Sequence, residues 1–200
     1  MVLGWKGVLV LAVVVWMAGF GTAWAEDRVA LLERLAEGGY VVYWRHAATD
    51  RRQGDRDLRD MDQCASQRNL DARGRAQART VGAGFAALGI PVGEVLTSDF
   101  CRNRETAEIA FGRYERVKNL WNLPVASASG LSRDALVNGL RERLGIPPAD
   151  PSKNTVIVGH NLNLQAAAGV RIDEGVMAVF EPLGEARFAF LGTLEPADFE

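Results

Sequence analysis

Three short stretches of this 200-residue chain carry residue types suited to chemistry, and each stands where a strand should end. Tyr40-Val41-Val42-Tyr43-Trp44 runs into Arg45-His46-Ala47. Val95-Leu96-Thr97-Ser98 ends in a polar turn and leads to Arg102. Thr155-Val156-Ile157-Val158-Gly159 runs into His160. Runs of β-branched and aromatic residues read as buried strands. In open α/β sheets, ligands bind outside the carboxyl ends of the strands. His46 and His160 are the only two histidines, and both fall at such an end. An imidazole is the side chain suited to nucleophilic and acid–base work near neutral pH. A guanidinium beside a buried strand needs an anion. The expected ligand is therefore negatively charged.

The elements that must position these residues alternate. Val29, Leu31, Leu32, Leu35 and Ala36 share one helical face over residues 26–37, which Gly38-Gly39 ends. The first strand follows. Residues 48–69 mix both charges without a period and read as a long functional loop. Asp71 caps a helix to about residue 88, stopped by Gly89-Ile90-Pro91. The second strand covers 94–97 and the next helix 102–111. A short strand over 117–120 and a loop over 123–130 come next. Ser132 caps a helix over 133–144, and the third strong strand covers 155–159. A small-residue helix over 162–168 precedes a strand pair, 175–181 and 186–194. Strands alternating with helices predict an α/β fold: a three-layer sandwich whose mostly parallel central sheet is covered by helices on both faces, with an antiparallel edge.

Composition narrows the function. The length allows one sizeable core. Lys6, the apolar run 8–17 and the pattern Ala23-Trp24-Ala25 describe a secretory signal peptide, residues 1–25, cleaved after Ala25. Glycines break the second half of the segment, which argues against an uncleaved anchor. The expected product is one domain, residues 26–200, periplasmic or secreted and without a stable membrane anchor. The formal charge is −2, and loss of Lys6 leaves 22 basic against 25 acidic residues. That argues against nonspecific nucleic-acid binding, which needs a basic face. In an exported chain, Cys64 and Cys101 are a candidate disulfide, the alternative being two unpaired thiols.

Taken together, these motifs resemble the histidine phosphatase superfamily, whose fold is called phosphoglycerate mutase-like. Its hallmark Arg-His-Gly stands here as Arg45-His46-Ala47. Its Ser followed by an Arg and then Thr-Ala on a helix stands as Ser98, Arg102 and Thr106-Ala107. Its strand ending in Gly-His stands as Gly159-His160. The resemblance spans residues 40–194. It implies that Arg45 and Arg102 grip phosphate oxygens, that His46 attacks phosphorus to give a phosphohistidine, and that His160 donates to the transferring oxygens. It implies no cofactor, and the sequence shows no convincing metal cluster. A metal-dependent hydrolase built on the two histidines would have too few ligands.

Departures from the pattern bear on the acid. Ala47 replaces the usual Gly, so the backbone there should be ordinary. Thr49 falls at a position where the family commonly carries a hydroxyl, and is expected to touch phosphate. The acid-phosphatase branch has His-Asp where this chain has His160-Asn161. Asn cannot serve as a general acid, which leaves Asn161 as a substrate-binding candidate. Asp50 and Glu174 are the proton-donor candidates. The expected activity is a metal-independent, periplasmic phosphomonoesterase acting on a phosphorylated small molecule such as a sugar phosphate. The alternative is a noncatalytic phosphate- or phosphosugar-binding protein on the same fold.

Overall fold

The computed structural model describes residues 20–200, with side chains from Arg28 onward. The expected leader, residues 1–25, lies outside the residues whose side chains are described. The first helix, α1 (Phe20–Glu37), begins six residues before the expected start. It buries Leu31 and Leu35 and ends at Gly38 and Gly39, both at positive φ. The strand β1 (Val41–Arg45) follows, then the irregular segment 48–69, then α2 (Ala72–Ala87). The Asp71 carboxylate accepts from Gly74 N at 2.7 Å and so caps α2 as its position in the sequence implies. β2 (Val92–Thr97) leads into α3 (Cys101–Phe111) and the two-residue β3 (Glu115–Arg116). After α4 (Ala126–Ser129) and α5 (Arg133–Gly145) come β4 (Asn154–Gly159) and α6 (Asn161–Ala168). The hairpin β5 (Met177–Pro182) and β6 (Phe188–Leu194) closes the order.

The six strands form one sheet in the order β3-β2-β4-β1-β5-β6. β1, β4, β2 and β3 pair in parallel, while β5 and β6 add antiparallel at one edge. Side-chain alternation assigns the two faces. Val42, Trp44, Val156, Val158 and Val179 pack with Leu35 of α1, Val81 and Phe85 of α2, and Ala107 of α3. Their neighbours Val41, Tyr43, Ile157, Ala178 and Phe180 pack with Leu140 and Leu144 of α5 and Leu164 of α6. Helices therefore cover both faces, and the central strands are buried throughout, as a parallel sheet requires.

Two local expectations are corrected. The short strand lies at Glu115–Arg116, and Lys118–Leu120 is a 3-10 turn. Val117 and Leu120 are both buried in one cluster, and a three-residue spacing puts both on the same side of a tight turn. The expected loop at 123–130 holds a 3-10 turn, Leu123–Val125, and α4. Leu123 and Ala126 bury against Met61, Phe100 and Trp121, a third cluster that the local pattern does not reveal.

Segment 48–69 is irregular apart from a 3-10 turn at Cys64–Ser66 and a bridge between Thr49 and Leu70. It is held down instead by side chains. Gln67 donates to Met61 O and accepts from Cys101 N. Cys64 and Cys101 form the expected disulfide, with Cα atoms 5.7 Å apart. Among the described residues no helix is long and apolar enough to cross a membrane.

Candidate active site

Strand order brings the three motifs together. β2, β4 and β1 are neighbours, and the register pairs Arg45 with Gly159 and Thr97 with Val158. Pairing continues past the strand ends, with His46 N donating to Gly159 O and Ser98 N to Val158 O, both at 3.2 Å. The His46 and His160 rings meet edge to face with centroids 5.6 Å apart. Helix α3, starting just after β2, brings Arg102 to the same place with its side chain fully buried.

Each group is fixed by its neighbours. His46 Nδ1 donates to Ala47 O at 2.9 Å, which leaves Nε2 as the nitrogen with a free lone pair. Ala47 has ordinary φ, as expected for a non-glycine there, and its N–H donates to Thr106 Oγ1 at 3.1 Å. Thr106 Oγ1 donates to Arg102 O, so α3 is stitched to the loop carrying the histidine. Asn103 Nδ2 donates to Gly159 O at 3.0 Å and ties α3 to the end of β4. The Tyr43 hydroxyl accepts from His160 N at 2.8 Å and donates to His160 O at 3.0 Å. Only glycine fits at 159, because a Cβ there would collide with that hydroxyl. Burial pushes the Tyr43 phenol up, so it stays a neutral donor.

The electrostatics favour neutral imidazoles facing fixed cations. Burial, then the nearby Arg102 charge, hold both His46 and His160 well below the ordinary histidine value. His160 Nε2 lies 3.0 Å from Ser98 Oγ. With Ser98 donating, the proton of neutral His160 sits on Nδ1, which is buried and has no hydrogen-bond partner. Arg102 donates from Nη1 to Asp55 Oδ1 at 2.9 Å, while its Nε and Nη2 are buried and unpaired. The Phe100 ring lies under this guanidinium, 4.4 Å from Cζ. Arg45 donates from Nη1 to Ile172 O at 3.0 Å, and its Nε is likewise buried and unpaired.

The remaining sequence candidates are placed differently. Glu174 sits beside Arg45, with Oε1 3.5 Å from Nη2, and 3.7 Å from Arg68 Nη1. The Thr49 hydroxyl, expected on phosphate, is spent on Glu174 Oε1 at 3.0 Å, and Thr49 N donates to Oε2. Asn161, expected on substrate, accepts from Ile172 N at 3.0 Å. That bond anchors the 170–176 turn, where Gly175, at φ 87°, donates its N–H to both Arg45 O and His46 O. Asp50 is forked by the exposed Arg52 guanidinium, which holds its carboxyl below the usual value. Thr49 and Glu174 also border a groove of about 1200 Å³ whose walls include Asp50, Arg51, Arg73 and Glu105. No cluster of three or more His, Cys, Asp or Glu suited to a metal ion occurs among the described residues.

Three contributors escape the sequence pattern. Arg68 adds its charge to both histidines, and Asp55 pairs with Arg102. Both lie in the mixed-charge segment, where nothing local separates them from solvated neighbours. Tyr43 left one signal: a hydroxyl inside an otherwise apolar strand needs a partner.

The family model for the histidine phosphatase superfamily (branch 1) matches residues 41–153. No curated protein matches the chain. Among solved structures, the protein histidine phosphatase SixA complexed with tungstate is 15% identical, with a TM-score of 0.54 over 80% of this chain and 99% of that one. TTHB049 from Thermus thermophilus is 19% identical, with a TM-score of 0.51 over 78% and 98%. A candidate alpha-ribazole-5'-P phosphatase from Escherichia coli is 15% identical, with a TM-score of 0.53 over 76% and 94%. At these identities the likeness establishes the mixed α/β fold that the motifs imply.

Proposed function

This chain belongs to the histidine phosphatase superfamily, and from that premise we propose that it is a metal-independent phosphomonoesterase working through a phosphohistidine at His46. One observation carries the reading. Among the described residues Arg45 Nε, Arg102 Nε, Arg102 Nη2 and His160 Nδ1 are buried and find no hydrogen-bond partner, and both arginine charges act on His46. Buried cationic donors left unpaired cost several kcal/mol between them. A phosphoryl group supplies the matching acceptors, and its transition state spreads charge over three equatorial oxygens that fixed guanidinium forks stabilise.

The chemistry divides between the residues. His46 Nε2 attacks phosphorus while Nδ1 stays bonded to Ala47 O, which keeps the ring in the reactive tautomer. Burial and the Arg102 charge lower the basicity of the ring, which favours the unprotonated nucleophile. Arg45, Arg102 and His160 hold the equatorial oxygens, and water then hydrolyses the phosphoenzyme. The substrate class is a small phosphate ester such as a sugar phosphate. SixA in complex with tungstate offers a solved relative that takes a tetrahedral oxyanion. The leader pattern and the Cys64–Cys101 bridge support a periplasmic location, since disulfides persist in oxidising compartments.

The test is hydrolysis of an aryl phosphate by the mature protein, with chelator present, beside His46→Ala. The expected result is turnover that chelator leaves intact and that falls by about 10³-fold or more in the variant. Binding of phosphate or vanadate without any turnover would overturn the enzyme reading and leave a binding protein.

A further inference from the structure

We propose that Asp55 is the proton donor to the leaving group, an inference that rests on the phosphomonoesterase reading above. Asn161 cannot supply the acid, because it carries no carboxyl group. Among the described residues two carboxylates pair with the site arginines, Glu174 with Arg45 and Asp55 with Arg102. Glu174 has both oxygens committed: Oε1 takes the Thr49 hydroxyl and faces Arg45 and Arg68, and Oε2 takes Thr49 N. That carboxylate is a strut between the 170–176 turn and the arginines. Asp55 is held through one oxygen only. Its Oδ1 accepts from Arg102 Nη1 at 2.9 Å and from Arg68 N at 3.0 Å, and its Oδ2 has no hydrogen bond to any described residue.

Position and charge both suit the role. Arg102 is the charge that most affects His46 and His160, so a carboxylate seated on it lies at the edge of the same cluster. A substrate phosphate that draws on Arg102 sets a second anion beside the Asp55 side chain. The side chain is 19% exposed, enough to exchange protons with water. The segment that carries it is tethered at several points. Arg56 N donates to Ser66 O at 2.8 Å, and the Cys64–Cys101 bridge anchors the segment one residue from Arg102.

The steps balance. His46 Nε2 gives its lone pair to phosphorus, the bond from phosphorus to the ester oxygen breaks, and the Asp55 O–H proton passes to that oxygen. A water oxygen then attacks the phosphohistidine and the Asp55 carboxylate takes its proton. The P–N bond breaks, and its electron pair returns to Nε2. Such an acid matters most for alkyl and sugar phosphates, whose alkoxides leave poorly, and least for aryl phosphates.

The experiment compares wild type, Asp55→Asn and Asp55→Glu on p-nitrophenyl phosphate and on glycerol 2-phosphate, across pH. Asn keeps an oxygen for Arg102 and Arg68 N, and vanadate binding verifies that the pocket forms. The expected result is a kcat loss of about 10²-fold or more on glycerol 2-phosphate in Asp55→Asn. That loss should exceed the loss on the aryl ester at least tenfold. Partial recovery in Asp55→Glu would support the same role. Equal losses on both esters, an unchanged alkyl rate, or a lower KM with kcat retained would overturn it, the last marking Asp55 as a mere competitor for Arg102. A wild type inactive on both esters would instead bring down the phosphatase reading itself.

Discussion

Acidification from about pH 7.5 to about pH 5.5 should destabilise the fold through two side chains alone. His46 and His160 are held well below the ordinary histidine value, by burial first and by the Arg102 charge next. In the unfolded chain each titrates near 6.5. Across this window the unfolded state therefore binds more protons than the folded one, and stability falls as pH falls through about 6.5. With the folded-state histidines neutral throughout, the pair contributes up to about 3 kcal/mol over the two pH units. The window is clean because the chain has no third histidine, and carboxylates such as Asp57 and Asp150, already shifted down by their partners, stay ionised. The assay is urea unfolding of the mature protein at matched ionic strength in phosphate-free buffers. His160→Gln should cut the loss by about half, since one of the two groups is gone. A flat stability across the window, or an undiminished loss in His160→Gln, would refute neutral burial as the state of these rings.

Two further outcomes test what holds the site. Reduction of the Cys64–Cys101 bridge, which spans 37 residues of separation, should remove about 4 kcal/mol. It should lower Tm by roughly 10 °C in calorimetry with and without reductant. Turnover should fall with it, because the freed segment carries Asp55 and Arg68; an unchanged Tm would show that the bridge restrains nothing. Tyr43→Phe leaves His160 N and O without their buried partner. It should cost about 1–3 kcal/mol in denaturant unfolding and lower kcat more than KM, and unaltered kinetics would remove Tyr43 as a positioning residue.

Much of this protein is set by local pattern. The β-branched runs ending in Arg45, Ser98 and Gly159 specify strands, and alternation within them assigns each side chain to a sheet face. Asp71 and Ser132 mark helix starts because a short acceptor side chain meets the first free N–H groups, as both do. The histidines and Arg102 are legible for the same reason: they follow directly on elements whose ends the pattern locates. The partners of these residues are not legible. Asp55 and Arg68 stand in a charged segment with no period, and what distinguishes them is that α3 lies across from them. Thr49 and Asn161 are spent on Glu174 and Ile172, choices that depend on where the 170–176 turn lands. Backbone propensity and burial act over a few residues, and so the sequence alone determined the long strands, the caps and the groups at the strand ends, though not the two-residue β3. Ion pairs and shared hydrogen bonds act across whatever the sheet order brings near, and so only the tertiary structure decided which donors around His46 stay unpaired and which carboxylate sits beside Arg102.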